Sequence, residues 1–516
     1  MNAQRQGGLE ALGAETLPYM IGLDLGTSSC KALLFDATGH RHAIGRVAYD
    51  TSNGRGGDVS QQPEDWWAAA VKALGQVASL VAGRPLLGIG LSGQIGTHVL
   101  LDPAGTPLHD AITWQDGRSA IVLQEVESRI DGKWLSRELD TWLPPGAAWP
   151  LVRMLWLSQT MPALLSRARW LAQPKDFLTL RLTGRMVSDP SSWRGIARPD
   201  GTILTDALET LGLPNLIPEL ATGSAVAGTL LPSVAASTGL PNGLPVFTGM
   251  NDLNCSLLGI GAVRESQGFD VAGTSEHLGC ITRAPSDHPY VNSVPLHGTD
   301  SELYSVYGVT SNGGAALEWA SSVLLGQGTN PLAATGLSGE SFSALVESSQ
   351  VGARGLLFLP YLRGERAPVW DVRARGALVG LTQTHGAPEI ARATLEGVAL
   401  NLRQIRDLLP AFAAGTTEIR ATGGPSRMPA WNRIKADVLQ TPIRLMRETN
   451  SSALGAAALA AIGGGLFSSP VEAAASMVQT VRTVDPDAAA GRLYDDVYLS
   501  FRELYPCLAH LTHSDQ

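Results

Sequence analysis

The run Asp24-Leu25-Gly26-Thr27-Ser28 sets a carboxylate two residues ahead of a turn built from glycine and hydroxyl side chains. Glycine lets backbone N–H groups approach a polyphosphate closely, the hydroxyls add donors, and a neighbouring carboxylate can hold Mg²⁺, usually through water. Lys31 brings positive charge towards the same turn, although an ordinary hairpin with a surface lysine is the plainer account. A second turn, Gly273-Thr274-Ser275, has Val271 where the first has Asp24, so two phosphate turns would share a single metal-facing acid. Thr422-Gly423-Gly424 offers backbone to an adenine or ribose, and Gly313-Gly314 opens a helix whose Glu318 could face nucleotide. Taken singly, each of these reads more simply as a strand-to-helix turn or a packing position. Asp252, in Gly249-Met-Asn-Asp252-Leu-Asn-Cys, is an acid among small and apolar residues. In a partly desolvated cleft such a group accepts a hydroxyl proton during phosphoryl transfer. On the local sequence alone a helix cap explains it better, since Asn and Asp are the preferred cap residues. No HExxH, GxSxG or GxxxxGK[ST] occurs, which argues against zinc proteolysis, α/β-hydrolase chemistry and Walker-type nucleotide binding.

The elements that must position these residues alternate between strand and helix. Tyr19–Leu25 and Lys31–Asp36 flank the first small-residue turn as a predicted hairpin. Pro63 opens a helix with Glu64 and Asp65 in its first turn and Trp67, Ala70, Val71, Leu74 and Val77 as the expected buried face. Leu86–Leu91 reads as a buried strand ending in Ser92-Gly93-Gln94. The pattern then repeats about half a chain later: Gln267–Ala272 and His277–Thr282 flank the second turn. Gly355–Tyr361, Thr417–Ala421 and Pro442–Met446 read as further strands, with Trp431, Ile434, Val438 and Leu439 forming a helical stripe. Strands alternating with helices predict an α/β chain of two related domains, with a boundary near Ala262–Gln267.

Composition narrows the partners. A chain of 516 residues with 44% apolar residues buries sizeable cores, and 16% charged residues fits a bulky protein with little surface for its volume. A net charge of −9 repels phosphate backbones and anionic lipid, so neither nucleic acid nor membrane is an expected partner. Cys30, Cys255, Cys280 and Cys507 are scattered without a CxxC, the pattern of a reduced compartment. No signal peptide is read in residues 1–18, and the most apolar stretch, Ala453 to Phe467, is too short to span a bilayer; the expected location is cytoplasmic.

Taken together the segments resemble the FGGY carbohydrate kinases, and among them the xylulokinase branch, from about Tyr19 to about Gly465. Asp24-Leu-Gly-Thr-Ser-Ser-Cys-Lys31 is similar to the family's first phosphate motif, and Ser92-Gly93-Gln94 and Trp114-Gln-Asp-Gly-Arg118 to its substrate-side segments. Pro150-x-x-Arg153-Met-Leu-Trp156 resembles the first family signature with Arg for the usual Lys, and Pro174-Lys-Asp176 and Leu359–Pro368 are also family-like. Gly376-x-Leu-x-Gly-Leu381, Glu389-Ile390 and Ala393-Thr-Leu-Glu396 match the second signature, spacing included.

The resemblance implies an α/β fold of two ribonuclease-H-like (actin-type ATPase) domains flanking a deep catalytic cleft. It places an irregular N-terminal tail at 1–18, an N-terminal domain at 19–264, a C-terminal domain at 265–500 and a C-terminal tail at 501–516. It makes Asp252 the catalytic base and Asp24 the Mg²⁺-associated acid. Gly26, Thr27, Ser28, Lys31, Gly273, Thr274, Ser275, Gly314, Glu318, Gly423 and Gly424 become ATP contacts, and Gln94, Ile95, Gly96 and Trp114 join Asp252 on the sugar side. The expected reaction is ATP-dependent phosphorylation of a sugar's primary hydroxyl, with D-xylulose first among candidates and other ketopentoses, pentitols and polyols behind it. A homodimer is the expectation the resemblance carries for assembly. A sugar sensor, or an ATPase acting on protein partners, is the alternative from another class. Three departures bear on the site: Gln94-Ile95-Gly96-Thr97 stands where xylulokinases carry Gln-Met-His-Gly, which removes a sugar-bonding side chain, Trp114-Gln115 replaces a Trp-Asn pair, and Pro425 follows the Gly-Gly turn and removes an N–H.

Overall fold

The computed structural model describes residues 17–81, 83–142, 146–297, 302–326, 337–413 and 415–512. The chain forms two compact units. The first comprises residues up to Val263 together with Val294–Glu302 and Asn450–Val478; the second holds Arg264–Ser293, Leu303–Thr449 and Gln479 onwards.

The first unit is built on a six-stranded sheet in the order Val226–Thr229, Pro245–Asn251, Leu86–Gly93, Tyr19–Leu25, Ser29–Asp36, Arg41–Ala48. Tyr19–Leu25 pairs antiparallel with Ser29–Asp36 and parallel with Leu86–Gly93, which in turn runs parallel to Pro245–Asn251. Side chains alternate across a strand, so Ile21, Leu23 and Leu25 meet the Pro63–Ala78 helix on one face while Met20, Gly22 and Asp24 share the other. That second face is covered by the Ser451–Gly463 helix, whose backbone comes so close that a Cβ on Gly22 or Gly90 would lie 1.8 Å from the carbonyl oxygens of Ala453 and Ala456. Gly455 does the same for the Asp252–Gly259 helix, taking the carbonyl of Cys255 where a side chain would stand. Gly90→Ala is therefore expected to cost about 3 kcal/mol of stability through forced overpacking. Its denaturation midpoint tests this, and a variant as stable as the wild type would show that the helix is not seated there.

In the second unit the corresponding hairpin is Gln267–Ala272 with Glu276–Thr282, and Glu418–Gly423 is its parallel partner. Tyr304–Thr310 extends the sheet on one side and Ile443–Met446 and Thr480–Val484 on the other. The repeat therefore goes beyond the turns. Leu25 pairs with Gly93 in one sheet and Ala272 with Gly423 in the other, so Ser92-Gly93-Gln94 and Thr422-Gly423-Gly424 occupy equivalent strand ends.

Several expectations shift. The Pro63 helix buries Trp66, Ala69, Ala70, Ala73, Leu74 and Val77, with Trp67 only partly covered, so the apolar face lies one position earlier at the tryptophans. The strand expected at Gly355–Tyr361 shortens to Leu357–Leu359 behind a 3₁₀ turn at Ala353–Gly355. The stretch at 450–478, expected in the C-terminal domain, belongs to the first unit, because its Ala/Gly-rich helix fits the glycine-lined sheet face there. The expected tail from 501 is no tail: the Ala488–Thr512 helix runs through it, and Tyr494, Tyr498, Phe501 and Leu504 recur at helical spacing and are buried in the second unit's core. Residues 1–16 and 513–516 of the two expected tails lie outside the described residues. The four cysteines are unpaired, and no helix among the described residues is long and apolar enough to cross a membrane.

Candidate active site

In the first unit, the Asp24 and Asp252 side chains act on one another. Asp24 is 5% exposed, and its Oδ1 is buried without a hydrogen-bond partner. Lys31 stands directly across from it in the hairpin. Asp252 is the first residue of the Asp252–Gly259 helix; the cap is Asn251, whose side chain accepts the Asn254 N–H at 2.9 Å. The cap reading of Asp252 is thus displaced by one residue. Its carboxylate accepts only the Leu253 N–H at 2.8 Å among the described hydrogen bonds. Burial, and then the neighbouring Asp24 carboxylate, push its pKa up to about 6, against smaller opposing effects of the Leu253 N–H and Arg194. A carboxylate so placed ionises near neutrality and then accepts a proton readily.

The first turn is tight: Gly26 N–H donates to Ser29 O at 3.1 Å, the Tyr49 hydroxyl donates to Gly26 O, and Ser28 is exposed. Thr27 lies beside Trp114, one of the residues expected on the sugar side. The Trp114 indole N–H reaches Thr27 Oγ1 at 3.3 Å, and the Trp114 backbone N–H donates to Thr97 Oγ1 at 3.1 Å. Trp114 is 38% exposed, an uncommon position for so large an apolar surface. Gln94 is buried, donates to Gln61 Oε1 at 3.0 Å and leaves its own Oε1 unpartnered. Ile95 beside it is partly exposed. Gly96 has φ +80°, and a Cβ there would come 3.0 Å from the Ala148 Cβ. The missing histidine side chain is therefore matched by a left-handed backbone that a histidine would adopt only with strain.

Residues that the motifs did not single out hold this set in place. Gln61 donates to Thr27 O at 2.7 Å and accepts from Trp66 and Gln94, so one amide ties the Gly26–Ser28 turn to Gln94. Gln173 Oε1 accepts the Gly96 N–H at 3.2 Å. Lys175 is buried between Asp176 at 3.2 Å and Asp189 at 3.1 Å. Asp189 accepts the Ser191 N–H at 2.9 Å and the hydroxyls of Ser191 and Ser192. Ser191 O in turn accepts Asn251 Nδ2 at 2.7 Å, one residue before Asp252. Arg153, fully buried, donates to the carbonyls of Thr113 and Asp116 on either side of Trp114, which gives the unusual arginine a structural task.

In the second unit, Gly273, Thr274 and Ser275 form an exposed to half-buried turn closed by the Gly273 N–H to Ser275 O bond of 2.8 Å. The Gly313–Leu325 helix docks on it, with Gly314 and Ala315 N–H donating to the carbonyls of Gly273 and Thr274 at 2.8 and 3.1 Å. Gly314 is buried and Glu318 exposed. Gly423 has φ +97° and lies where a Cβ would be 1.9 Å from Ala272 O, so only glycine brings the third turn this close to the second. Gly424 then enters a 3₁₀ turn, Pro425–Arg427, in which Pro425 occupies the first position, where its lost N–H has no partner to forfeit.

The fold is shared at full length with solved sugar kinases. Gluconate kinase from Lactobacillus acidophilus superposes with a TM-score of 0.86 at 26% identity, covering 97% of this chain and 99% of that one. Ligand-bound xylulose kinase from the same organism gives 0.85 at 26%, covering 96% and 99%. This is the two-domain kinase architecture of the actin-like ATPase class. Models of the N-terminal and C-terminal domains of the FGGY family of carbohydrate kinases match residues 19–259 and 269–464, and the xylulose kinase of Escherichia coli (strain K12) is 30% identical over 510 residues, covering 95% of this chain and 99% of its own. The chain belongs to the FGGY family of carbohydrate kinases, as its motifs imply.

Proposed function

We propose that this carbohydrate kinase transfers the γ-phosphoryl group of ATP to the C5 hydroxyl of D-xylulose, giving D-xylulose 5-phosphate, with Asp252 as the base. The observation that carries the reading is the Asp252 carboxyl: held at the start of a helix, desolvated, close to a second acid, and titrating near 6. As the sugar oxygen attacks phosphorus in line, Asp252 takes its proton, and the Gly26–Ser28 turn supplies donors for the phosphoryl charge; the Gly273–Ser275 turn suits phosphate in the same way. Gln94 and Trp114 orient the sugar, and the Thr422–Gly424 turn and the Gly313 helix hold the adenosine. Asp24 suits Mg²⁺, since an unpartnered buried carboxylate oxygen fits a hydrated cation that takes its remaining ligands from phosphates. When bound, the ion supplies charge neutralisation on the phosphates. Such an enzyme works in the cytoplasm, where ATP is held.

Gluconate is the second candidate acceptor, because gluconate kinase shares the fold as closely as xylulose kinase does and because Gly96 leaves the sugar side without the histidine of the xylulokinase motif. Coupled ADP release over ketopentoses, aldoses, pentitols and gluconate tests the reading. D-xylulose is expected to give the highest kcat/KM. An ADP-release rate that no sugar or sugar acid raises would contradict a kinase and favour a protein-partner ATPase.

A further inference from the structure

The second unit contains a fully buried group of three charges that the reaction does not use. Lys435, on the Pro429–Leu439 helix, has its ammonium 2.7 Å from Asp270 Oδ2 and also pairs with Glu276 Oε1. All three side chains are at most 1% exposed. Asp270 lies on the strand entering the second phosphate turn, and Glu276 is the residue that leaves it, directly after Ser275. They face the same side of the sheet as diagonal neighbours, because Asp270 pairs with Leu278 and Ala272 with Glu276. The helix bearing Lys435 follows the Thr422-Gly423-Gly424 turn, separated from it by the single 3₁₀ turn at Pro425–Arg427. On the remaining side, Gly313 abuts Glu276: a Cβ there would lie 2.6 Å from the Glu276 Cβ. The Trp431 ring lies over the ammonium, 4.6 Å from Nζ.

We propose that Lys435 is the positioning residue of the nucleotide side: its ammonium ties both strands of the second phosphate hairpin to the helix that follows the Gly-Gly turn, and nucleotide affinity depends on that tie. The proposal rests on the kinase reading above. Stability alone does not call for the arrangement, since well-packed apolar residues commonly replace a buried ion pair without loss. What apolar residues cannot do is fix the direction of approach. One ammonium with two directed bonds sets the spacing of three segments that each present backbone to the nucleotide. Two acids face the single cation through Asp270 Oδ2 and Glu276 Oε1, and the second oxygens, Asp270 Oδ1 and Glu276 Oε2, make no hydrogen bond. Burial and then the Asp270 carboxylate push the Glu276 carboxyl upward, so Glu276 retains a proton more readily than a free carboxylate does. Glu276→Gln, which copies the protonated form, should therefore be the tolerated change.

The test is calorimetric titration of the full-length chain with ADP, alongside the KM values for ATP and sugar and the thermal midpoint. Lys435→Met is expected to weaken ADP binding about tenfold or more, the range seen when an outer-shell support is removed, while the sugar KM stays within about twofold. Lys435→Arg and Glu276→Gln should each stay within about threefold of the wild type for ADP. If Lys435→Met yields no folded protein, Asp270→Asn decides, since it keeps the shape and weakens one arm of the tie: about three- to tenfold weaker ADP binding is expected, and unchanged binding overturns the proposal. Wild-type protein that binds ADP alongside a Lys435→Met variant that binds it equally well overturns this inference alone. Wild-type protein that fails to bind ADP overturns the kinase reading and this inference with it.

Discussion

Asp252→Asn is expected to lower kcat by about 10²- to 10⁴-fold, the contribution of a positioned base, while ADP affinity and the thermal midpoint stay near the wild-type values. The variant isolates chemistry because Asp252 does not cap its helix. Asn251 performs that task through the Asn254 N–H, and the change removes only a carboxylate that accepts the Leu253 N–H. An amide of the same shape keeps the packing and cannot take the sugar's proton. Single-turnover rates together with equilibrium ADP titration check both halves of the statement. A rate within tenfold of the wild type would remove Asp252 from the mechanism.

Lys175→Met should be the most damaging change away from the reacting atoms. The lysine is 2% exposed and neutralises Asp176 and Asp189, both buried, so its loss leaves carboxylates uncompensated in the interior. Breaking a buried pair from one side costs about 3–5 kcal/mol. The damage should also reach the chemistry if Asp252 is the proposed base, because Asp189 holds Ser191 and Ser191 holds Asn251, the residue before Asp252. Urea denaturation is expected to show that loss of stability, and the folded fraction should retain a lowered kcat with little change in the KM for ATP. A destabilisation below about 1 kcal/mol would mean that the two acids find other compensation.

How much of this was legible before the structure depended on the range of the interaction. Both Gly-Thr-Ser hairpins could be read because each is local: apolar strands flank a small-residue turn within twenty residues, and both strand pairs formed as expected. Trp66 and Trp67 show the limit of periodicity, since two adjacent tryptophans satisfy a 3.6-residue repeat equally and only tertiary packing chose the first. The Ser451–Gly463 helix is apolar all round, so its sequence carries no stripe to say which sheet it covers; Gly22 and Gly90, hundreds of residues earlier, decide that. Gln61 and Gln173 escaped because the backbone groups that give them their place, Thr27 O and the Gly96 N–H, lie 34 and 77 residues away, and Asp189 because its partners are hydroxyls whose value shows only once Asn251 is seen beside them. A glutamine just before a helix-opening proline carries no signal of its own. Asp252 was legible in identity and ambiguous in role, since helix starts favour Asn and Asp whether or not one of them does chemistry.

The pH dependence of kcat/KM puts the most direct question to the base. In the proposed mechanism ionised Asp252 is the competent form, so activity should fall as pH drops through about 6, the value to which burial and Asp24 push its carboxyl. Asp24→Asn removes the negative neighbour and leaves the burial, so the acid limb should move to lower pH yet stay above the ordinary aspartate range, whatever that variant loses in rate. An acid limb that stays in place in Asp24→Asn, or a wild-type profile that is flat from pH 5 to 8, would contradict proton transfer to Asp252.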